Sequence, residues 1–195
     1  MNYFDYITAI KQKEAQAILN IPIENNGLYE AICSIKACSG KVVTSGMGKA
    51  GIAARKAAAT MSSLGTPACF VHPGEAQHGD LGTLSANDIL LVFSTSGKTR
   101  EVIELVTLAK VLHEKVPVIT VTSHPESELK DISDIVIGMG EVEEVCPFGL
   151  APTSSTIVML CIGDILSMCV MQEKGITKEE YGKRHHGGYI GKQLR

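Results

Sequence analysis

ILLVFSTSGKTREV, residues 89–102, is the stretch whose reading decides the fold. Ile89 to Phe93 is an unbroken apolar run rich in strand formers, the pattern of a parallel strand covered on both faces. It stops at Ser94-Thr95-Ser96-Gly97, and from Lys98 the period changes, with Val102, Leu105, Val106 and Ala109 on one helical stripe. A buried strand, a hydroxyl-rich turn and a helix therefore follow one another. The first N–H groups of that helix have no partner within it, and together with the helix dipole they make a site for an anion. Phosphate is the expected guest, because Ser94, Thr95, Ser96 and Thr99 can each donate a hydrogen bond while the backbone supplies more. Helix capping explains one of these hydroxyls, not four.

Two other phosphate patterns fail on spacing or context. Ser96-Gly97-Lys98-Thr99 matches the tail of a P-loop, but the glycine required upstream falls on Val92. Gly46-Met47-Gly48-Lys49-Ala50-Gly51 fits G-x-G-x-x-G, following the apolar Val42-Val43 and preceding a helical pattern. After the next candidate strand, 68–71, His72-Pro73 stands where a ribose-binding Asp or Glu is needed, so a dinucleotide is not expected. No cofactor is.

Outward from residue 89 in both directions, strands and helices alternate at lengths that imply parallel βαβ units. Helices are expected at 3–19, 27–38, 49–64, 126–130, 152–172 and 177–181, and strands at 41–44, 68–71, 116–122 and 134–137. The 195 residues read as a single α/β domain over 1–195, with a leading helix in 1–26 and a basic tail over 184–195. A net charge of −3 with no basic run argues against nucleic acid. The N-terminus lacks a signal-peptide core, and Gly163 and Asp164 interrupt the longest apolar run, so no membrane is expected and the chain reads as soluble and cytoplasmic. None of the six cysteines forms a CxxC pair; Cys33, Cys69, Cys146, Cys161 and Cys169 lie in apolar contexts typical of buried thiols. Because ligands of open parallel sheets bind beyond the strands' carboxyl ends, the 45–49, 72–80 and 94–99 segments are expected to converge on one crevice.

Five segments together carry a resemblance: SGMGKAG at 45–51, HPGEAQHGDLG at 72–82, STSGKTREV at 94–102, EEVCPFGLAPTSS at 143–155 and HHGG at 185–188. From about Gly27 onward the chain resembles the sugar isomerase (SIS) domain family, and within it is similar to the arabinose-5-phosphate isomerases. The resemblance implies a five-stranded parallel sheet flanked by helices on both faces, in a homotetramer built as a dimer of dimers. It also implies an aldose–ketose isomerase that interconverts D-ribulose 5-phosphate and D-arabinose 5-phosphate, feeding synthesis of 3-deoxy-D-manno-octulosonate for lipopolysaccharide. The family's catalytic residues fall on Lys49, Glu101, Glu144 and His185, and its substrate contacts on Ser45, Gly46, His78, Ser94, Thr95, Ser96 and Thr99. Three features depart from the family: Lys98 replaces a usual glutamate, HHGG replaces HPGG, and the paired CBS domains of many relatives are absent from this sequence.

Isomerisation through a cis-enediol needs a base beside the carbonyl, a donor to the carbonyl oxygen and a handle on the substrate. Glu144 is the expected base, its pKa raised by burial against Val145, Cys146 and Pro147. His185, with His186 as its rival, is expected to shuttle a proton, either in its own chain's crevice or in that of a neighbouring subunit reached by the tail. Lys49 would hold the developing oxyanion, and Glu101 would orient Lys49 or the sugar, or simply complement the helix dipole. His72 and His78, with Glu75 and Asp80 nearby, are candidate metal ligands, although an enediol mechanism needs no metal. Two rival functions remain, a 6-phospho-3-hexuloisomerase and a non-catalytic module that senses a sugar phosphate or nucleotide sugar. Retention of Lys49, Glu101, Glu144 and His185 favours an enzyme.

Overall fold

Side chains alternate across a strand, so a strand apolar at every position needs cover on both faces. The computed structural model, which describes residues 2–187, 189 and 191, supplies it. Five parallel strands, β1 (Val42–Gly46), β2 (Ala68–Phe70), β3 (Ile89–Phe93), β4 (Val118–Thr122) and β5 (Ile135–Gly138), form one sheet in the order β2-β1-β3-β4-β5. Leu91 and Phe93 face a layer made by α1 (Tyr3–Leu19), α2 (Leu28–Ala37), α3 (Gly48–Ser63) and α7 (Ser154–Glu173). Leu90 and Val92 face the opposite layer, where α5 (Arg100–Leu112) contributes Val102, Leu105 and Val106, and α6 (Glu128–Asp131) contributes Leu129. The expected three-layer α/β sandwich is what forms.

Strand order locates the crevice. Both β2 and β3 pair with β1, on opposite sides, so the chain reverses its direction of travel across the sheet between β1 and β3. Gly46 pairs with Phe93, which ends these two strands side by side and lets the loops after them diverge to opposite faces. The alanine-rich α3 packs closely on α7; a Cβ at Gly163 would stand 3.0 Å from the Cβ of Ala57. At the far end of the sheet, Asp88 accepts hydrogen bonds from the backbone N–H groups of Lys41 (2.9 Å) and Ser85 (2.8 Å) and from Lys41 Nζ (2.5 Å). It thereby ties the entrances of β1 and β3 together.

Several expectations are corrected. The 72–80 segment is not a plain loop, because Pro73–Ala76 forms the short helix α4 and Asp80–Thr83 a 3-10 turn. Pro73 at the first helical position, with His72 Nδ1 accepting from the N–H of Gly74 (3.2 Å), starts that helix. The leading helix has its expected bounds, but among its residues only Ala17 is buried, while Phe4 is 83% and Ile7 53% exposed. All six cysteines are free and none is buried; Cys33 is exposed and the rest are partly so. Apolar neighbours in sequence did not place these thiols inside, because Cys33 and Cys169 border an open cleft between α2 and α7. Helix α7 is apolar and long enough to cross a membrane, yet half of it is buried within the fold. The final helix, α8 (Lys178–Gly182), opens with the capping box of Thr177 and Glu180. Of the basic tail, residues 188, 190 and 192–195 lie outside the described residues.

Candidate active site

The turn after β3 is built largely from its own hydroxyls. Ser94 Oγ accepts from the N–H of Gly97 (3.2 Å) and lies 3.0 Å from Thr99 Oγ1, and Ser96 Oγ accepts from the N–H of Lys98 (3.2 Å). Gly97 adopts φ +63°, and a Cβ there would stand 1.8 Å from Ser127 Oγ, so the turn requires glycine. Thr99 caps α5 with its backbone while its side chain makes no capping bond, which leaves the hydroxyl available to the turn. Across the switch point, the loop after β1 begins α3 at Gly48, again with no side-chain cap. A Cβ at Gly51 would stand 2.4 Å from the carbonyl oxygen of Gly46, so the last glycine of G-x-G-x-x-G serves close packing of helix against strand.

Between these turns lies a crevice of about 740 Å³. It is lined by Lys49 from α3, by Ser94, Thr95, Ser96 and Thr99 from the β3 turn, and by Glu144 and Ser155 around the start of α7. His124, after β4, completes the wall beside Thr95.

Glu144 reaches the crevice in a state the sequence reading did not expect. Its Oε2 accepts from the N–H and hydroxyl of Thr153 (2.6 and 2.7 Å) and from the N–H of Ser155 (3.4 Å), so the carboxylate caps the N-terminus of α7. Burial pushes its pKa up, but the donors of Ser155 and Thr153 together outweigh burial and hold it below the usual carboxylate range. The expected upward shift is therefore wrong in sign. Its physical cause was written in the sequence as Thr153-Ser154-Ser155 at the head of a helix, three residues suited to bind an anion there.

Other expected residues stand elsewhere within one chain. Ser45 is fully buried and donates its hydroxyl to the carbonyl of Val71 (2.7 Å), and Gly46 is strand backbone beneath the crevice rather than its lining. The 72–80 segment does not converge with the other two loops. Ala76 is buried in the α5 layer and Gln77 donates to Glu104 of α5 (2.5 Å), which carries His72 and His78 away from the crevice wall. Among the described residues, no three His, Cys, Asp or Glu side chains group as a metal centre would. Glu101 occupies the first turn of α5 without lining the crevice. His185 stacks on Tyr181 with ring centroids 4.0 Å apart, and its Nδ1 lies 2.9 Å from the Tyr181 carbonyl, outside the crevice of its own chain. His124 was missed, although its place just beyond the carboxyl end of β4 obeys the rule that singled out the other turns.

Comparison with known proteins follows the same lines. The SIS domain profile matches residues 36–168. Arabinose 5-phosphate isomerase KdsD of Escherichia coli K12 is 45% identical over 157 residues, which make up 80% of this chain and 47% of that protein. The chain thus spans about half the length of the curated relatives it matches. A candidate phosphosugar isomerase involved in capsule formation from Bacteroides fragilis has 48% identity and a TM-score of 0.93, over 96% of this chain and 100% of that one. An Escherichia coli CFT073 protein solved in complex with arabinose 5-phosphate has 34% identity and a TM-score of 0.87, over 95% of this chain and 100% of that one.

Proposed function

The chain belongs to the SIS domain family, and we propose that it is an aldose–ketose isomerase interconverting D-ribulose 5-phosphate and D-arabinose 5-phosphate through a cis-enediol. One observation carries the reading: a single crevice brings Lys49 and Glu144 together with the hydroxyl turn at the head of α5. The turn would hold the phosphate, through its hydroxyls and the partnerless first amides of α5, so that the sugar's other end lies over the switch point. There Glu144, ionised, would take the proton from the carbon next to the carbonyl, and Lys49 at the start of α3 would stabilise the oxygen that becomes negative. Returning the proton to the neighbouring carbon, while a hydroxyl proton passes from one of the two enediol oxygens to the other, completes the isomerisation with no net gain or loss of electrons. The product would feed synthesis of 3-deoxy-D-manno-octulosonate, in the cytoplasm.

His185 enters this scheme through assembly. We infer a homotetramer, a dimer of dimers, in which the tail of one subunit brings His185 to a neighbour's crevice. Support comes from apolar surface that a lone chain leaves open, including Phe4 and Ile7 on α1, Tyr29 (76% exposed) on α2 and Met168 (51%) on α7. The test of the reaction is to incubate purified protein with arabinose 5-phosphate in heavy water. Ribulose 5-phosphate should form and deuterium should enter carbon 2; binding without exchange would instead favour the non-catalytic sensor.

A further inference from the structure

His124 is held against the β3 turn through its ring. The carbonyl of Thr95 receives the N–H of Ser123 (3.1 Å), the hydroxyl of Thr122 (3.1 Å) and His124 Nδ1 (3.0 Å). A carbonyl only accepts, so Nδ1 carries the proton, and Nε2 takes no part in that bond in a residue that lines the crevice. The His124 N–H donates to Thr122 Oγ1 (3.1 Å), which holds the residue's backbone as firmly as its ring. Among the crevice's described lining residues, only Lys49 and His124 can carry positive charge, and Lys49 stands at the start of α3 and not in the β3 turn. The Lys98 side chain, although in the turn, is not part of the wall. The turn itself offers a phosphate dianion hydroxyls and the first amides of α5, but no side chain of full positive charge in the wall. His124 also lines an adjoining compartment of about 660 Å³ with Glu141 and Glu143, of which Glu143 is paired with Lys13 Nζ at 3.4 Å.

We propose that His124 is a substrate-binding residue that donates from Nε2, as the imidazolium, to the phosphate group held by the β3 turn. The proposal rests on the reading of that turn as the phosphate site and adds the cation the turn lacks. It makes His124 a determinant of phosphate affinity, not of the chemical step.

Substitution separates the two nitrogens. Asparagine at 124 keeps an N–H near the Nδ1 position, and hence the tie to Thr95, but removes Nε2. Arginine restores a cation that suits phosphate. Inorganic phosphate binding by calorimetry, with kcat and KM for arabinose 5-phosphate, should be measured for the wild type, His124→Asn and His124→Arg, after thermal melting has checked folding. H124N is expected to weaken phosphate binding and raise KM about tenfold, the loss of one charge-assisted bond, with kcat changed less than about threefold. H124R should recover most of the affinity. Unchanged phosphate affinity in H124N, or a fall in kcat at unchanged affinity, overturns the proposal while leaving the phosphate turn standing. A wild type that isomerises but does not bind inorganic phosphate, or that does neither, removes the turn reading and this proposal with it. If H124N does not fold, His124→Ala, which also removes Nε2, is judged by the same criteria.

Discussion

A carboxylate that caps a helix makes an unusual base, and the proposed mechanism asks Glu144 to hold both positions. Its bonds to Thr153 and Ser155 fix one oxygen and keep the group ionised, while the residue still lines the crevice. Because the folded pKa lies below the usual carboxylate value, the working anion is present above that value and is lost only as pH falls through the lowered one. The Glu144 limb of kcat/KM, which reports the free protein, should therefore lie below about pH 4.3, wherever the protein stays folded, and a carboxylate limb near neutrality would contradict the assignment. Glu144→Gln should lower kcat by about 10²- to 10⁴-fold, with phosphate binding nearly unchanged. A variant that keeps wild-type turnover would remove Glu144 from the chemistry.

At the level of the element, the 89–102 stretch was legible because every layer of constraint agreed. Strand β3 has the bounds read from its apolar run, and both its faces are buried. The helix after it starts at Arg100 and not Lys98, since the turn holds Gly97 and Lys98 in its own hydrogen bonds. The 72–80 segment was less legible. Nothing in its polar composition reveals that Ala76 buries against α5 and carries the two histidines with it, because that is a tertiary packing effect. Gly97→Ala tests the turn itself. With φ +63° and Ser127 in the way of any Cβ, it should abolish detectable phosphate binding and lower stability by about 1–3 kcal/mol. Wild-type phosphate affinity in that variant would show that the turn is not the anion site.

Asp88 belongs to the same scale. Burial pushes its pKa up, but the bonds from Lys41 and Ser85 outweigh burial and bring it below the usual value. A folded pKa below the unfolded one gives stability that is present above the unfolded value, about 3.9, and lost as pH falls through the folded one. Asp88→Ala leaves two backbone donors and an ammonium without their partner, and Lys41 is partly exposed, so a loss of about 3 kcal/mol is expected. In melting experiments at pH 7 that is a fall of roughly 6–12 °C, and the difference from wild type should shrink toward pH 3.

For the whole molecule, the sheet order fixed where a crevice must lie, and the two turns flanking the β1–β3 switch point do line it. A sequence read as one chain displays only the residues that this chain brings to its own crevice. His185 rests on Tyr181, and the apolar faces of α1 and α7 remain partly open. If neighbouring subunits share sites, mixing inactive Glu144→Gln and His185→Ala proteins should restore up to about a quarter of the wild-type activity per site, since some crevices then receive both intact residues. Mixtures that stay inactive, although differently tagged subunits co-purify as mixed oligomers, would confine each site to one chain.

The most direct measurement is a crystal structure with ribulose 5-phosphate or arabinose 5-phosphate bound. The phosphate should lie within hydrogen-bonding distance of the turn formed by Ser94, Thr95, Ser96 and Thr99, with carbons 1 and 2 beside Glu144 and Lys49. A phosphate seated in another cleft, or a sugar whose first two carbons point away from Glu144, would contradict the account.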